Sequence, residues 1–509
     1  MIAPFPLRAP TKRSMKADMS IFTIDEVLEV TSARLLSGNS GGLRRKIRRL
    51  CSDSREVGPG DLFIAFKGEH FDGHRFVEQA LRKGAIGALI EIGSEAASSI
   101  AASHASTEPP FMLGVPDALL AYQQIATYHR SRLHIPVVAV TGSNGKTTTK
   151  EMVARVLEER YNLLVTEGNL NNRIGVPQTL LRLNSKHDAA VIEMGVDHKG
   201  QTTRLAEITR PTIGLITNIG PDHLEFFGTM EASAEAKGEL LDLLDAEDAA
   251  VLNADDPYFG YLASRARCRV VSFGLSPTAS VRATAVRSHA RGMAFRLTLP
   301  GRVRPTPVTL PAHGLHNLSN ALAAAAVGYL CDLSGAKIAH GLFQFRPAAM
   351  RSQVERLRGI TVINDCYNAN PASMNAAVDL LAELGGTKQT VAVLGDMLEL
   401  GPQSSAFHQD VGRHVAARHI TSLVSCGKLG RQIAEGARRA GMAPDRVFEY
   451  PSAVQAIDGV VSMVEPGSVV LVKASRGMRM EQVVEALRSR LAEATPKGTR
   501  SVPGKGVKR

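Results

Sequence analysis

Val137-Val-Ala-Val-Thr-Gly-Ser-Asn-Gly-Lys-Thr-Thr-Thr-Lys150 decides the fold. Its apolar start reads as a buried strand, the small residues after it as a turn, and Thr147 onward as a helix reaching to about Arg160. That order builds a phosphate cradle. Gly142 and Gly145 let the backbone fold tightly, so successive N–H groups and the positive end of the helix dipole face phosphate oxygens. Lys146 would neutralise the β- and γ-phosphates, and the Thr147 hydroxyl would complete a Mg²⁺ shell. Of the usual G-x-x-x-x-G-K-[ST] loop only the Gly-Lys-Thr half is kept: Val140 stands where the first glycine belongs, and Gly142 follows two residues later. Strand, Gly-Lys-Thr and helix coincide, so the stretch, with Ser143, Asn144 and Thr148, is read as an ATP site.

Further strands flank it. Val137–Val140, Ala189–Met194, Thr212–Thr217, Ala250–Leu252 and Val270–Phe273 alternate with helical stretches. This predicts a mostly parallel, P-loop ATPase-like sheet covered on both faces, in a central domain over 134–345. Ala321–Leu330 is an Ala-rich helix suited to close packing. A second alternation, Ile360–Asn364, Thr390–Leu394, Ser422–Cys426 and Val469–Lys473, predicts a Rossmann-like C-terminal domain over 346–491. It has no phosphate loop of its own, which suits a lid or a second substrate platform. Ahead of both, 21–133 reads as a small α/β module with a linking helix over 117–133. Its signals are the Thr23/Glu26 capping pair, a Pro-Gly turn leading to an alternating apolar strand within Asp53–Gly68, a turn at Asp72–His74, and a helix from Phe76 to Lys83 closed by Gly84. The expected class is therefore α/β in three domains. The extension 1–20 and the basic tail 492–509 are expected to be disordered.

The 509 residues are 44% hydrophobic and 21% charged, ample for a core; at about 150 residues per domain the length suggests two to four domains. No apolar run reaches the roughly 18–20 residues that span a bilayer. Met1 to Lys16 lacks the apolar centre of a signal peptide, and Met19 is an alternative start. Five scattered cysteines (51, 268, 331, 366, 426) without metal-like spacing fit a reducing cytosol. The net charge of +11 is concentrated: residues 1–17 carry +4, Arg44 to Arg49 +5 and Thr495 to Arg509 +5, leaving the remainder near −3. That excludes a basic face spread over a folded domain, so nucleic acid is not an expected partner, and a monomer is expected. Arg44–Arg49 reads as a solvated face.

Ligands of open parallel sheets sit beyond the carboxyl ends of the strands. Glu193, directly after a buried strand, would hold Mg²⁺ opposite Thr147. His223, in Asn218–Glu225 after the next strand, would offer a neutral ring nitrogen to a metal. The amide-rich turn Gly168–Pro177, with Asn169 and Asn172, would suit a second substrate or the phosphate product. Lys237 has no role that composition assigns.

These motifs, in order, resemble those of one family. Thr141–Thr148, Glu167–Pro177, Val191–Gly195, Thr217–Glu225, His316-Asn317, Asn364-Asp-Cys-Tyr-Asn-Ala-Asn-Pro371 and Val393-Leu-Gly-Asp-Met-Leu-Glu-Leu-Gly401 resemble the Mur ligases of peptidoglycan synthesis over about Asp53 to Val484. The nearest likeness is to the branch that adds a D-alanyl-D-alanine dipeptide. The resemblance implies an N-terminal UDP-sugar domain, a central ATPase and a C-terminal lid. It also implies a cytoplasmic, ATP- and Mg²⁺-dependent ligase serving cell-wall synthesis, and with it cell shape and division. The expected substrates are UDP-MurNAc-tripeptide and D-Ala-D-Ala, joined through an acyl phosphate.

By the same resemblance Lys237 would be carbamylated and, with Glu193 and His223, help hold a second Mg²⁺. Asn317 and Asn320 would lie near adenine, and Arg351 and Asp365 would reach ATP from the lid. Ser54 and Arg55 would contact the uridine diphosphate, and Ser475 and Arg476 would border the dipeptide pocket. The chain departs from the family pattern at Met350-Arg-Ser352, where Gly-Arg-Met or Gly-Arg-Leu is common, and at Lys473-Ala-Ser-Arg476 in place of Lys-Gly-Ser-Arg. The alternatives are the ligase adding the third residue, whose Asp-Asn-Pro-Arg motif is absent, folylpolyglutamate synthetase, a non-catalytic nucleotide-binding regulator, and a nucleic-acid-binding protein with basic tails.

Overall fold

The computed structural model describes residues 22–69, 71–93 and 110–493. The expected extension and basic tail, with Met19, lie almost wholly outside them.

Besides a two-stranded antiparallel pair, Phe22–Thr23 with Lys46–Ile47, three larger sheets follow one another along the chain. The first has five strands in the order Arg34–Ser37, Phe111–Val115, Gly87–Glu91, Leu62–Ile64 and Leu50–Cys51, all parallel except the first. The helix Ile24–Thr31 starts at the expected cap: Thr23 accepts from the Glu26 amide, and the Glu26 carboxylate accepts from the Thr23 amide at 2.8 Å. The expected alternating strand is instead buried on both faces. Leu62 and Ile64 pack into one core cluster and Phe63 into another, because a strand inside a parallel sheet has helices or loops on either side.

The basic loop is not simply a solvated face. Arg48 and Arg49 donate to the Asp61 carboxylate at 2.8, 2.9 and 3.0 Å, the Gly58 amide adds a bond of 2.9 Å, and the Asp61 side chain is 0% exposed. Burial pushes the Asp61 carboxyl up, but these donors outweigh it and hold the group below its ordinary value.

The central sheet has nine strands: Thr306–Leu310, Gly292–Thr298, Val281–His289, Arg269–Gly274, Ala249–Asn253, Ile213–Ile216, Val137–Thr141, Ala189–Glu193 and Leu163–Val165. Val281–His289 and the six strands after it in this order run parallel; Gly292–Thr298 and Thr306–Leu310 close that edge as an antiparallel meander. Alternate residues of Val137–Thr141 serve opposite cores. Val138 and Val140 meet the helices Lys146–Leu157 and Leu315–Leu330, while Val137 and Ala139 face the other layer. Ala189–Glu193 flanks Val137–Thr141 on one side and Ile213–Ile216 on the other. The chain thus leaves this strand in both directions, and a crevice opens at its carboxyl end.

The third sheet has six strands: Gln353–Leu357, Ile360–Asn364, Val469–Lys473, Thr390–Gly395, Ser422–Cys426 and Val447–Tyr450, antiparallel only at the first pair. No helix among the described residues is long and apolar enough to cross a membrane.

Candidate active site

The loop after Val137–Thr141 is held from across the sheet. Gly142 sits at φ +133 and Gly145 at +79; a Cβ on the first would meet Thr217 Oγ1 at 2.1 Å, and on the second Asn320 Oδ1 at 2.4 Å. Only glycine fits either place. The Asn144 amide donates to Asn218 Oδ1 (3.0 Å), and the Asn144 carbonyl accepts from Thr217 Oγ1 (2.6 Å) and Asn218 Nδ2 (3.0 Å). Gly145 caps the helix Lys146–Leu157 without a side-chain bond, which leaves the first-turn amides open to an anion. Lys146 Nζ folds back on its own loop, donating to the carbonyls of Gly142 (2.6 Å) and Ser143 (3.3 Å).

Glu193 is 2% exposed. Its Oε1 accepts from Thr147 Oγ1 at 3.1 Å and from Asn171 Nδ2 at 2.9 Å, while Oε2 has no hydrogen-bond partner and lies 3.9 Å from Lys150 Nζ. A buried carboxylate oxygen left unpaired beside a hydroxyl is a hard-oxygen site, and Mg²⁺ needs few protein ligands because it keeps water and phosphate in its shell. The residues therefore fit Mg²⁺, although no group of three or more His, Cys, Asp or Glu among the described residues is arranged to hold a metal by itself.

A second buried cluster adjoins the loop. Asp222 Oδ1 accepts from Ser143 Oγ (2.6 Å) and Lys237 Nζ (3.0 Å), and its Oδ2 is unpaired. Lys237, 0% exposed, also donates to Ser233 Oγ at 2.7 Å and lies 4.6 Å above the Phe227 ring. Burial pushes the Lys237 ammonium below its ordinary pKa, and Asp222 opposes that only in part. Burial likewise pushes the Asp222 carboxyl up, but Lys237, Lys146 and the Ser143 hydroxyl hold it below its ordinary value. His223 stands at φ +51 at the start of Leu224–Phe227, its Nδ1 2.6 Å from Glu399 Oε2 in the loop after the C-terminal strand Thr390–Gly395.

A cleft of 780 Å³ joins the loop, Glu193 and His223, bounded by both the central and the C-terminal domains; Asp222 lines only a neighbouring cavity and Lys237 neither. From the central side the cleft takes Ser143 to Thr148, Asn171, Asn172, Glu193, His223, Asn317 and Asn320; from the C-terminal side, Arg351, Ser352, Asp365, Asn370 and Lys473. Asn370 Nδ2 reaches Asn144 Oδ1 at 2.7 Å across the gap. Asn320 Oδ1 accepts from Thr149 Oγ1 (3.1 Å), and Asn317 Nδ2 donates to the His313 carbonyl (2.8 Å). The Arg351 guanidinium lies 3.8 Å above the Tyr367 ring. Lys473 Nζ donates to Asp365 Oδ2 at 2.6 Å, and Asp365 Oδ1 accepts from the Ser352 amide at 2.8 Å. Met350 and Ser352 stand at φ +60 and +48. A glycine at the first of these positions would be free of that strain, which gives the Met350 departure a physical meaning.

Other expected residues lie apart. Asn169 does not line the cleft, and Asn172 Oδ1 accepts from the amides of Ile174 and Gly175 (3.0 and 2.9 Å), a turn-capping task. The amide of that turn that meets Glu193 belongs to Asn171, which sequence reasoning passed over; only its pairing with Glu193 across the sheet singles it out. Ser54 Oγ donates to Gln79 Oε1 (3.0 Å), and Arg55 pairs with Asp53 at 2.6 Å, a bond that draws the Asp53 carboxyl down to about 2. Neither Ser54 nor Arg55 borders the cleft. Ser475 and Arg476 line a neighbouring cavity of 310 Å³ with Lys146, Asp222, His223 and Glu399.

Comparison with known proteins matches three family models in chain order: the Mur ligase family catalytic domain over 46–129, the Mur ligase middle domain over 140–328, and the Mur ligase glutamate ligase domain over 350–476. The UDP-N-acetylmuramoyl-tripeptide–D-alanyl-D-alanine ligase of Bacillus subtilis (strain 168) is 36% identical over 442 residues, 87% of this chain and 93% of that one. Among solved structures, MurF from Acinetobacter baumannii superposes with a TM-score of 0.82 at 31% identity, covering 92% of this chain and 99% of that one. MurF ligase from Thermotoga maritima in complex with ADP gives 0.77 at 25% identity, covering 88% and 98%.

Proposed function

The chain belongs to the Mur ligase family, and from that premise we propose that it joins D-alanyl-D-alanine to UDP-N-acetylmuramoyl-tripeptide at the expense of ATP. The product is UDP-MurNAc-pentapeptide, for peptidoglycan synthesis. The observation that carries the reading is the cleft itself: a Gly-Lys-Thr loop, a buried carboxylate with one oxygen free of hydrogen bonds and a cationic lid rim converge on one space. The proposed domain division is 21–133, 134–345 and 346–491. A monomeric, cytoplasmic enzyme suits a nucleotide-sugar substrate and five unpaired cysteines.

The terminal carboxylate of the tripeptide attacks the γ-phosphorus of ATP, the bond to the β-γ bridging oxygen breaks, and ADP leaves with those electrons. The amine of D-Ala-D-Ala then attacks the acyl phosphate carbon. The tetrahedral intermediate expels phosphate, and the amine loses a proton. Two anions must meet in the first step, so charge neutralisation and in-line alignment dominate.

In this reading the open amides of Lys146–Thr148 bind phosphate oxygens, and Lys146 exchanges its loop carbonyls for the β/γ-phosphates. Arg351 brings a further cation from the C-terminal side, while Asp365, braced by Lys473, is set to bind the nucleotide. Asn317 and Asn320 support the base. Thr147, Glu193, His223 and Lys237 would hold Mg²⁺, which when bound shields the phosphate charge. Burial favours the neutral Lys237 amine, the form that adds CO₂. A carbamate there would turn a cation into an anion beside Asp222, and the pair would call for a counter-cation. Ser54 and Arg55 are assigned to the uridine diphosphate, Asn169 and Asn172 to the turn that borders substrate, and Ser475 and Arg476 to the dipeptide.

The test is phosphate release from Mg-ATP. Release should require both UDP-MurNAc-tripeptide and D-Ala-D-Ala. Release with a single amino acid, or with folate and glutamate, would move the chain to another branch, and no release despite tight ATP binding would favour a regulator.

A further inference from the structure

The segment after the strand Thr390–Gly395 turns back onto the central domain. Glu399 stands there at φ +62, and its carbonyl accepts from the Glu225 amide at 3.1 Å. Gly401, at φ +65, lies beside the same turn, where a Cβ would be in van der Waals contact with Glu225 Cα at 3.4 Å. The Glu399 carboxylate meets His223 Nδ1 at 2.6 Å, and His223 is itself at φ +51. Two side-chain-bearing residues, on loops of different sheets, are thus both held in a left-handed conformation where they touch. Strain of this kind persists only where the surroundings over-determine it, and it gathers at functional sites.

The chemistry of the contact is directional. A carboxylate against Nδ1 calls for a proton on that nitrogen, which leaves Nε2 with its lone pair. Metal-ligating histidines are set up in this way, with a carboxylate or carbonyl behind the ring fixing tautomer and orientation. His223 borders both the 780 Å³ cleft and the 310 Å³ cavity, the second shared with Lys146 and Asp222.

We propose that Glu399 is a positioning residue of the reaction: it accepts a hydrogen bond from the Nδ1–H of His223 and so presents Nε2 as the ligand nitrogen, and docking of the C-terminal domain thereby completes the central domain's cation site. The inference rests on the ligase reading above. The central domain supplies the histidine and the C-terminal domain the group that makes it competent, so an undocked lid leaves His223 in mixed tautomers.

The experiment uses the full chain with ADP, selectively ¹⁵N-labelled histidine, and His223→Gln to assign the signals. In the parent protein His223 should show a protonated Nδ1 and a bare Nε2. Glu399→Ala, which keeps the Glu225–Glu399 backbone bond, should shift the ring toward the Nε2-protonated form and raise the half-saturating Mg²⁺ concentration for turnover about 10–100-fold. Glu399→Gln, whose amide oxygen still accepts the Nδ1 proton, should keep the parent tautomer. An unchanged tautomer in Glu399→Ala overturns the proposal even if activity falls, since that would be lid docking alone; so does an unchanged Mg²⁺ dependence. If Glu399→Ala does not fold, a changed tautomer in Glu399→Gln overturns it. The spectra need neither peptide substrate, so failure of the ligase reading and failure of this assignment are distinguishable.

Discussion

Asp61 shows how much one side chain can organise. Its carboxylate draws two arginines of a basic run onto one buried point, so a stretch that looks solvent-bound by composition stitches the first sheet together. Asp61→Asn should destabilise the protein by about 2 kcal/mol, discounted for the half-exposed arginines. The carboxyl is held below its ordinary value of 3.8 in the fold, so its contribution is complete above that value and is lost as pH falls through the lower folded-state value. Urea unfolding at pH 7 and pH 3 checks this: the difference between parent and variant should be full at the first and smaller at the second. Lys237 is the reverse case, an amine whose burial lowers its pKa beside an acid. Lys237→Ala should lose activity by more than about 100-fold, as deletions of close charge partners in catalytic sites do, with partial recovery on adding short carboxylic acids. Full activity would remove the role proposed for it. The place of Glu193 at the cleft was legible because it ends an apolar strand. That of Asn171 was not, since a turn of several amides gives no sign of which one faces the carboxylate.

At the scale of elements, the helix that opens on Lys146 is fixed by its packing. Leu315–Leu330 and Gly335–Gln344 approach it so closely that a Cβ at Gly328 would meet Val156 Cγ1 at 2.7 Å, and one at Gly341 the Arg155 carbonyl oxygen at 2.5 Å. Gly341→Val should therefore cost about 1–3 kcal/mol by overpacking, read from the denaturant midpoint, and should weaken ADP binding by tilting the helix that carries the phosphate amides. The run Ala321–Leu330 announced close contact, and the true helix extends further back to Leu315. The three strands from Val281 to Leu310 escaped notice because polar residues such as Arg282, Arg287, Arg296 and Thr309 interrupt their apolar positions, as suits an antiparallel edge. Met350 belongs here too: Met350→Gly removes left-handed strain of about 1–2 kcal/mol, against which the added freedom of the unfolded chain counts for roughly 0.5–1 kcal/mol. Its thermal midpoint should stay within a few degrees of the parent's.

For the whole molecule, the decisive fact is that one cleft is walled by two sheets that each have their own core. A nucleotide that contacted both walls would bridge them. At about 100 times its Kd, Mg-ADP should stabilise the fold by about 2.7 kcal/mol and bring the unfolding of the central and C-terminal sheets into one calorimetric transition. Separate transitions at saturation would mean that the nucleotide engages the central sheet alone.

Strand and helix periodicity, the Gly-Lys-Thr loop and the strand-end acids are local, and local patterns determined the α/β class, the succession of three main sheets and the place of the Gly-Lys-Thr loop between strand and helix. Pairings between residues far apart in the chain were decided by the tertiary structure alone: Asp61 with Arg48 and Arg49, Asn171 with Glu193, Asp222 with Lys237, and Glu399 with His223. A carboxylate carries no mark of its partner. Which cation, amide or ring it meets depends on how helices pack, how strands order themselves and how the third sheet docks on the second.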